Sequence, residues 1–457
     1  MTVGERKSVE ALRVVERLRA SGYEAYLAGG CVRDLLLGRE PADYDVATSA
    51  TPDVVLDMFE RTFAVGAKFG VVLVAARDAE FVTEVATFRN DGAYSDGRRP
   101  DAVRYSKSAE EDVQRRDFTI NGLLLDPMRG GAPGEIAADR ELVRGAVLDY
   151  VDGLRDLEAG VVRAIGRAEL RFEEDHLRML RAVRFAARFG FRLDPATKIA
   201  IRSLAAKMNA VSRERVRDEL TKMLTEGRAR WAFELLDETG LLQEVLPEIA
   251  RMKGVEQPPQ FHPEGDVWVH TLMLLEQLDA DCSATLAWGA LLHDVGKPPT
   301  FRRAPDRIRF DGHVEMGVTM AAEICRRLRF SNDETQLILA LIENHMRFMD
   351  TGRMKESTLK RFLRLPQFEE HLALHKMDCM AGSGFLEHWE FMREMLRTLP
   401  EETVRPKPLI TGKELIAAGY RPGPRFKEML REVEDAQLEG KIGSEGEALR
   451  LVRERFG

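Results

Sequence analysis

Apolar residues in the first third of the chain come in short runs separated by polar turns. YEAYLAGG (23–30), TFAVGAKFGVVLVAAR (62–77) and AEFVTEVATFR (79–89), with their aromatic or β-branched residues, read as β-rich. MTVGERKSVEALRVVERLRA (1–20) instead places apolar residues at helical spacing among charges throughout. From about residue 150 the strand signal nearly vanishes and helical periodicity takes over. LRMLRAVRFAARFGF (177–191), RVRDELTKMLTEGRARWAFELLDETGLL (215–242), VWVHTLMLLEQL (267–278), VTMAAEICRRLRF (318–330) and ETQLILALIENHM (334–346) all read as helices. Breaks rich in Pro, Gly or charge fall at 254–265, 296–312 and 399–408. The pattern predicts an α/β head over 1–145, a mixed sheet with helices. Three all-helical parts follow, over 146–252, 253–398 and 399–457.

At 457 residues, with 44% hydrophobic and 32% charged positions, the composition is that of a globular chain with room for several cores. No apolar run approaches the length of a membrane span, and the charged N-terminal helix is unlike a signal peptide. Cys31, Cys282, Cys325 and Cys379 are scattered with no CxxC pair, against a disulfide framework or a structural zinc site. A cytoplasmic, membrane-free protein is expected. The net charge of −8 argues against nonspecific nucleic-acid binding but allows a local basic track.

The most informative stretch is LAGGCVRDLLLGREPADYD, Leu27 to Asp45. Gly29 and Gly30 end a strand and, lacking Cβ atoms, let backbone N–H groups approach phosphate oxygens. The helix that follows, VRDLLLG, presents its N-terminus to an anion, with Arg33 beside it. Asp43 and Asp45, two apart on a strand, project from one face and suit Mg²⁺, which completes its shell with water and substrate phosphate. These are parts for metal-assisted nucleotidyl transfer. The ordered set, strand–GG-x-V-R-D–helix–D-x-D, resembles the signature of class II tRNA nucleotidyltransferases and bacterial poly(A) polymerases. On that resemblance Gly30 and Arg33 contact the triphosphate, and Asp43 and Asp45 are the metal ligands.

Three further segments extend the resemblance. RRDFTIN (115–121) resembles the second motif of that family, whose arginine and aspartate, here Arg116 and Asp117, read the nucleotide's sugar and phosphates. The polar segment 87–108, with Arg98, Arg99 and Pro100, matches in character and length the loop of members that add the terminal adenosine. Glu84, in the strand before it, is expected to act as an electrostatic helper rather than a ligand. RFEEDHLRMLRAVRFAARFGF (171–191) reads as one helix on which Asp175 and Arg178 are i, i+3 neighbours, with Arg181, Arg184 and Arg188 on the same broad face. A fixed Asp–Arg pair offers an acceptor and donors to one base edge without a template. The stretch resembles the EDxxR motif, which implies that Asp175 and Arg178 select the incoming base and that Arg181 and Arg184 contact phosphate or the helix surroundings.

Residues 262–378 carry a second constellation. His270, His293, Asp294, His313, His345 and Asp378 fall in the order H…HD…H…H…D on predicted helices, with Gly296 and Lys297 completing HDxGK. The set resembles the HD phosphohydrolase superfamily. It implies a divalent transition-metal site, with Lys297 placed for a phosphate. Domains of this kind attached to tRNA nucleotidyltransferases can act as phosphatases, 2′-nucleotidases or 2′,3′-cyclic phosphodiesterases. His262, His371, His375 and His388 lie outside the pattern and are assigned no ligand role. The tail, 399–457, resembles that of HD-bearing members of the family. Its Lys407, Lys413, Arg421 and Arg425 are candidates for RNA phosphate contacts, though a solvated surface accounts for them as well.

The expectation is therefore a nucleotidyltransferase head with base-reading neck, HD domain and tail, adding CMP and AMP from CTP and ATP to the tRNA 3′ end. The growing 3′-hydroxyl would attack the α-phosphorus and release pyrophosphate. An A-adding enzyme that needs a CC-adding partner is the nearest alternative. Poly(A) polymerase is disfavoured because KFGVVLV (68–74) stands where that branch carries an arginine-rich element. An alarmone or protein-uridylyl regulator is disfavoured by domain order. A non-enzymatic RNA-binding protein would require both metal sites to be dead, whereas all their side chains are present.

Overall fold

The computed structural model describes residues 2–64, 70–76, 81–91, 103–129, 140–260 and 262–457. They form two compact units, Met1–Pro247 and Glu248–Gly457. Arg98, Arg99 and Pro100 of the 87–108 segment, and Lys68 and Phe69 of KFGVVLV, lie outside the described residues.

The first unit opens with α1 (Val3–Ala20). Its start is fixed by a capping box in which the Thr2 side chain accepts from the Glu5 amide and the Glu5 carboxylate accepts from the Thr2 amide. Ala11, Leu12, Val15 and Leu18 turn its apolar stripe inward. A seven-stranded sheet follows: β1 (Ala25–Ala28), β2 (Asp45–Thr48), β3 (Thr62–Phe63), β4 (Val71–Ala75), β5 (Val82–Thr87), β6 (Leu123–Leu125) and β7 (Val147–Asp149), in the order β3-β4-β5-β2-β1-β6-β7. Only β2 and β5 run parallel, and the other pairs are antiparallel. α2 (Gly30–Leu36) connects β1 to β2. The expected mixed α/β head is thus present.

The register positions the chemistry. Ala28 at the end of β1 pairs with Asp45 at the start of β2, so the Gly29–Gly30 turn and Asp45 share one edge of the sheet. Val46 pairs with Val85 in parallel, which brings Asp45 beside Glu84. Ala28, Ala47, Phe88, Ala109, Val113 and Leu124 pack beneath.

Beyond residue 150 the described structure is helical apart from two-residue strand pairings. One expectation fails here. Residues 171–191 are two helices, α3 (Ala168–Glu174) and α4 (Arg178–Phe189), not one. Asp175 is extended (φ −146°, ψ 105°) and its carboxylate accepts from the Leu177 amide (3.1 Å). A short acidic side chain that bonds nearby backbone competes with helix hydrogen bonding, and here it wins. α5 (Arg213–Thr225) packs on α4.

The second unit contains α6 (Val267–Glu276), α7 (Ala284–Leu292), α8 (His313–Arg327), α9 (Asn332–Asn344) and α10 (Phe368–Ala381). Its last three helices, Gly412–Ala417, Arg425–Leu438 and Glu445–Phe456, close around Leu415, Met429, Val433, Ala448 and Val452. No described helix is long and apolar enough to cross a membrane.

Candidate active sites

In the first unit a cavity of about 690 Å³ is lined by Gly30, Arg33, Asp43, Asp45, Arg116, Asp117, Asp175, Arg178, Arg181 and Arg184, the residues expected to bind nucleotide and metal. Glu84, Arg115, Arg188 and Lys222 line it as well. Carboxylates of β2, its preceding turn and β5 stand on the sheet side, and arginines come mainly from the helices.

Gly29 adopts φ +71°, and a Cβ there would lie 3.0 Å from Arg116 Nη1, so the turn admits only glycine comfortably. Arg33 is buried rather than displayed. It donates from Nε to Asp34 Oδ1 (2.9 Å) and from Nη1 to Asn121 Oδ1 (2.5 Å), and its guanidinium stacks over the rings of Phe185 (5.2 Å) and Phe189 (4.6 Å).

Asp45 begins β2, whereas Asp43 lies in the turn before it; the two do not share a strand, although both reach the cavity. Asp43 is exposed, and Lys7 Nζ of α1 donates to its Oδ1 (2.9 Å). Burial, then the Glu84 carboxylate, push the Asp45 carboxyl up to about 6, against the pull of Arg116. Burial also raises Glu84. Two buried carboxylates, Asp45 and Glu84, are thus crowded at one side of the cavity, for which a divalent cation is a fitting counter-ion, although these oxygens are not gathered as compactly as the donors of the second unit.

Asp117 is fully engaged. Its Oδ1 accepts from the Phe118 amide (2.8 Å) and Asn121 Nδ2 (3.1 Å), and its Oδ2 from Arg181 Nε (2.8 Å). Burial alone would raise its pKa, but Arg181 and Arg178 hold it at about 2. Arg116 donates to Asp112 Oδ2 from Nη2 (3.0 Å). Arg184 donates from Nε to Glu219 Oε2 (2.7 Å) and from Nη1 to Glu226 Oε2 (3.1 Å).

The expected Asp175–Arg178 pair is not joined. Arg178 donates from Nη1 to Glu174 Oε2 (2.5 Å) and the Arg171 carbonyl (3.0 Å), and from Nη2 to the Arg115 carbonyl (3.3 Å). Asp175 takes both terminal nitrogens of Arg215 instead. The helix break separates the two base-reading candidates, and both still line the cavity.

In the second unit the six expected HD side chains converge. His293 caps the end of α7, His313 opens α8, His345 follows α9, His270 lies within α6 and Asp378 within α10. His293, His313 and His345 each turn Nδ1 to a local carbonyl, of Ala290 (2.9 Å), Phe310 (2.9 Å) and Ile342 (2.7 Å). Their Nε2 atoms are buried without a hydrogen-bond partner. Asp294 stands among them, with Oδ2 3.1 Å from His293 Nε2 and Oδ1 3.9 Å from both His313 Nε2 and His345 Nε2. Imidazoles held by Nδ1–H with Nε2 lone pairs aimed at one carboxylate form a set that can coordinate a divalent metal.

Electrostatics agree. Asp294 is held well below the usual carboxylate range, burial being overcome by His293 and Lys297. Burial pushes His345 down to about 4. His270 would also be lowered by burial, but its bonds to Asp378 Oδ1 (3.0 Å, from Nε2) and Glu264 Oε1 (2.6 Å, from Nδ1) bring it up to about 9. Lys297 is buried on Asp294 Oδ2 (2.7 Å) and Gln257 Oε1 (2.6 Å). A Cβ on Gly296 would lie 2.1 Å from the His313 carbonyl oxygen, so glycine here lets α8 approach the His–Asp turn. Glu264 was missed in the sequence. It also accepts from His262 Nδ1 (2.9 Å), placing that histidine beside the cluster. His371 and His375 are buried in α10. A cavity of about 450 Å³ opens onto the cluster.

Three family models match the chain: the poly A polymerase head domain over residues 25–163, the probable RNA and SrmB-binding site of polymerase A over 190–253, and the HD domain over 266–381. The CCA-adding enzyme of Geobacillus kaustophilus is 32% identical over 445 residues, 96% of this chain and 95% of that protein. The chain belongs to the CCA-adding enzyme family. The CCA-adding enzyme of Lactobacillus johnsonii is 40% identical over 270 residues, 58% of this chain; the match spans less than two thirds, 63%, of that protein's length. Among solved structures, the Bacillus stearothermophilus CCA-adding enzyme in complex with CTP superposes with a TM-score of 0.71 at 27% identity, covering 100% of this chain and 99% of that one. The Thermotoga maritima CCA-adding enzyme complexed with tRNA shares the fold, with a TM-score of 0.59 at 18% identity over 98% of this chain and 95% of that one.

Proposed function

We propose that the protein is a tRNA nucleotidyltransferase that adds CMP and AMP, from CTP and ATP, to the tRNA 3′ end. One observation carries this reading: a single cavity joins the Asp43–Asp45–Glu84 carboxylates to Asp175 and Arg178, in a chain of the CCA-adding family. Gly30 and Arg33 would receive the triphosphate, Arg116 and Asp117 the sugar and phosphates, and Asp175 and Arg178 the base edge. Arg181 and Arg184, held by Asp117 and by Glu219 with Glu226, would contribute positive charge toward the phosphates. Asp43 and Asp45 would hold Mg²⁺, which supplies positive charge to the attacking hydroxyl oxygen and the triphosphate. Burial of Asp45 beside Glu84 disfavours its bare charge, so its carboxylate gains from a bound cation where the 3′-hydroxyl would meet the α-phosphorus. The boundaries we infer are a head over 1–145, a neck over 146–252, an HD domain over 253–398 and a tail over 399–457. The setting fits a cytoplasmic protein.

At the second site His270, His293, Asp294, His313, His345 and Asp378 would hold a divalent transition metal for phosphoester hydrolysis. The three partnerless Nε2 atoms support that reading.

The deciding experiment supplies labelled CTP and ATP, singly and together, with tRNA ending in the discriminator base, in C or in CC. Extension of all three substrates supports CCA addition. Extension of the CC end alone means an A-adding enzyme, and growth of a long A tract means a poly(A) polymerase. No incorporation with any substrate overturns the transferase reading.

A further inference from the structure

Behind the base-reading candidates, α5 turns Arg215, Glu219 and Lys222 toward α4 at i, i+4 and i+7 spacing. Lys222 reaches the cavity wall and Glu219 grips Arg184, while Arg215 does not line the cavity. Arg215 donates from Nη1 to Asp175 Oδ1 (3.1 Å) and from Nη2 to Asp175 Oδ2 (2.6 Å), a bidentate clamp from outside the cleft.

We propose that Arg215 is a positioning residue for base selection, holding the Asp175 carboxylate in the one orientation that accepts an exocyclic amino group. The proposal rests on the reading of Asp175 as a base-selecting residue. Asp175 lies in the break between α3 and α4, outside both helices, with its carbonyl accepting from the Arg178 amide (3.0 Å). The terminal torsion of an aspartate is broad, and with the Leu177 amide alone on Oδ1 the second oxygen would still turn about that bond. Two ionised oxygens offer about four acceptor positions. The Leu177 amide and Arg215 Nη1 fill Oδ1, and Arg215 Nη2 takes one position on Oδ2. One acceptor position on Oδ2 is left, on a side chain that lines the cavity.

Cytosine and adenine present an amino donor (N4, N6) where uracil and guanine present a carbonyl oxygen (O4, O6). A carboxylate fixed with a single open acceptor position welcomes the first pair and repels the second. Lysine cannot replace the clamp, because an ammonium is a point charge without the planar fork.

The test compares Arg215→Ala, Arg215→Lys and Asp175→Ala with wild type. The readout is the ratio of kcat/KM for CTP over UTP on discriminator-ended tRNA and for ATP over GTP on CC-ended tRNA, alongside KM for tRNA. Arg215→Ala should cut both ratios roughly tenfold, the effect of freeing one charge-assisted pair, with KM for tRNA unchanged. Arg215→Lys should recover little, and Arg215→Ala should add nothing to Asp175→Ala. Should Arg215→Ala not fold, Arg215→Lys reads the same ratios. If Asp175→Ala collapses both ratios while neither Arg215 variant changes them, the positioning role is wrong and base selection by Asp175 stands. If Asp175→Ala leaves both ratios intact, the base-selection reading itself fails. A rise in CTP affinity with selectivity retained in Arg215→Ala would make Arg215 a competitor of the base and overturn the proposal.

Discussion

Asp45 and Glu84 are neighbours because β2 and β5 run parallel with Val46 opposite Val85. Burial and the Glu84 charge push the Asp45 carboxyl up to about 6, from an ordinary 3.8. Because the folded pKa lies above the unfolded one, holding Asp45 ionised costs folding free energy, and the cost appears as pH rises from about 4 through 6.

Asp45→Asn removes a proposed Mg²⁺ ligand and should abolish nucleotide addition, yet raise the melting temperature in EDTA at pH 7.5 through a stability gain of up to about 2 kcal/mol after discounting for partial exposure. Melting curves at pH 4 and 7.5, with and without Mg²⁺, check it. The gain should vanish at pH 4, and Mg²⁺ should stabilise wild type more than the variant. A variant less stable than wild type in EDTA at pH 7.5 would contradict the charge argument.

His293→Ala or Asp294→Ala should remove metal-dependent phosphoester hydrolysis and leave nucleotide addition intact. The ligands belong to Glu248–Gly457 and the transferase carboxylates to Met1–Pro247, each with its own core. Metal content after dialysis, with hydrolysis assayed in Mn²⁺, Ni²⁺, Co²⁺ and Mg²⁺, is the measurement. Loss of addition in a folded variant would show that the sites are coupled.

Gly296→Ala should damage the HD site although no ligand side chain is replaced. The new Cβ would fall 2.1 Å from the His313 carbonyl oxygen and 2.5 Å from the Gly317 amide nitrogen, so α8 must retreat. Overpacking of this kind costs about 1–3 kcal/mol. Lowered thermal stability together with weaker metal retention is expected, and unchanged metal retention would mean that the turn relaxes without moving His313.

Burial pushes His371 down to about 4, from 6.5. Its folded pKa is depressed, so the unfolded chain takes up the proton first as pH falls. The stability it contributes is present above about 6.5 and is lost toward 4, about 2 kcal/mol of it by pH 5. His371→Leu, which keeps an apolar filling at a buried position, should flatten the decline of melting temperature between pH 7 and 5. An unchanged slope would show that other groups carry the acid sensitivity.

The motif side chains that reach the first cavity were readable from short signatures, a turn, a D-x-D and an EDxxR, although the D-x-D does not share a strand and the EDxxR does not share a helix. Their partners were not. Arg215 meets Asp175 across 40 residues and Arg33 meets Asn121 across 88, and no periodicity encodes such meetings. The break at Asp175 was hidden because both flanks keep helical spacing while one side-chain hydrogen bond interrupts them. Glu264 escaped notice for a similar reason, since an acidic residue in a Pro- and Gly-rich turn reads as solvated until the fold buries it on His270.

Arg33 joins the glycine turn to α4 through Asn121, Phe185 and Phe189. The end of the cleft that would receive a triphosphate and the end that would receive a base are thereby tied through one buried guanidinium. On the proposed reading, that tie would set the span against which a nucleotide is measured from phosphate to base edge. A cytidine and an adenosine differ in that span, so with the tie intact the side chains lining the cleft would have to take up the difference.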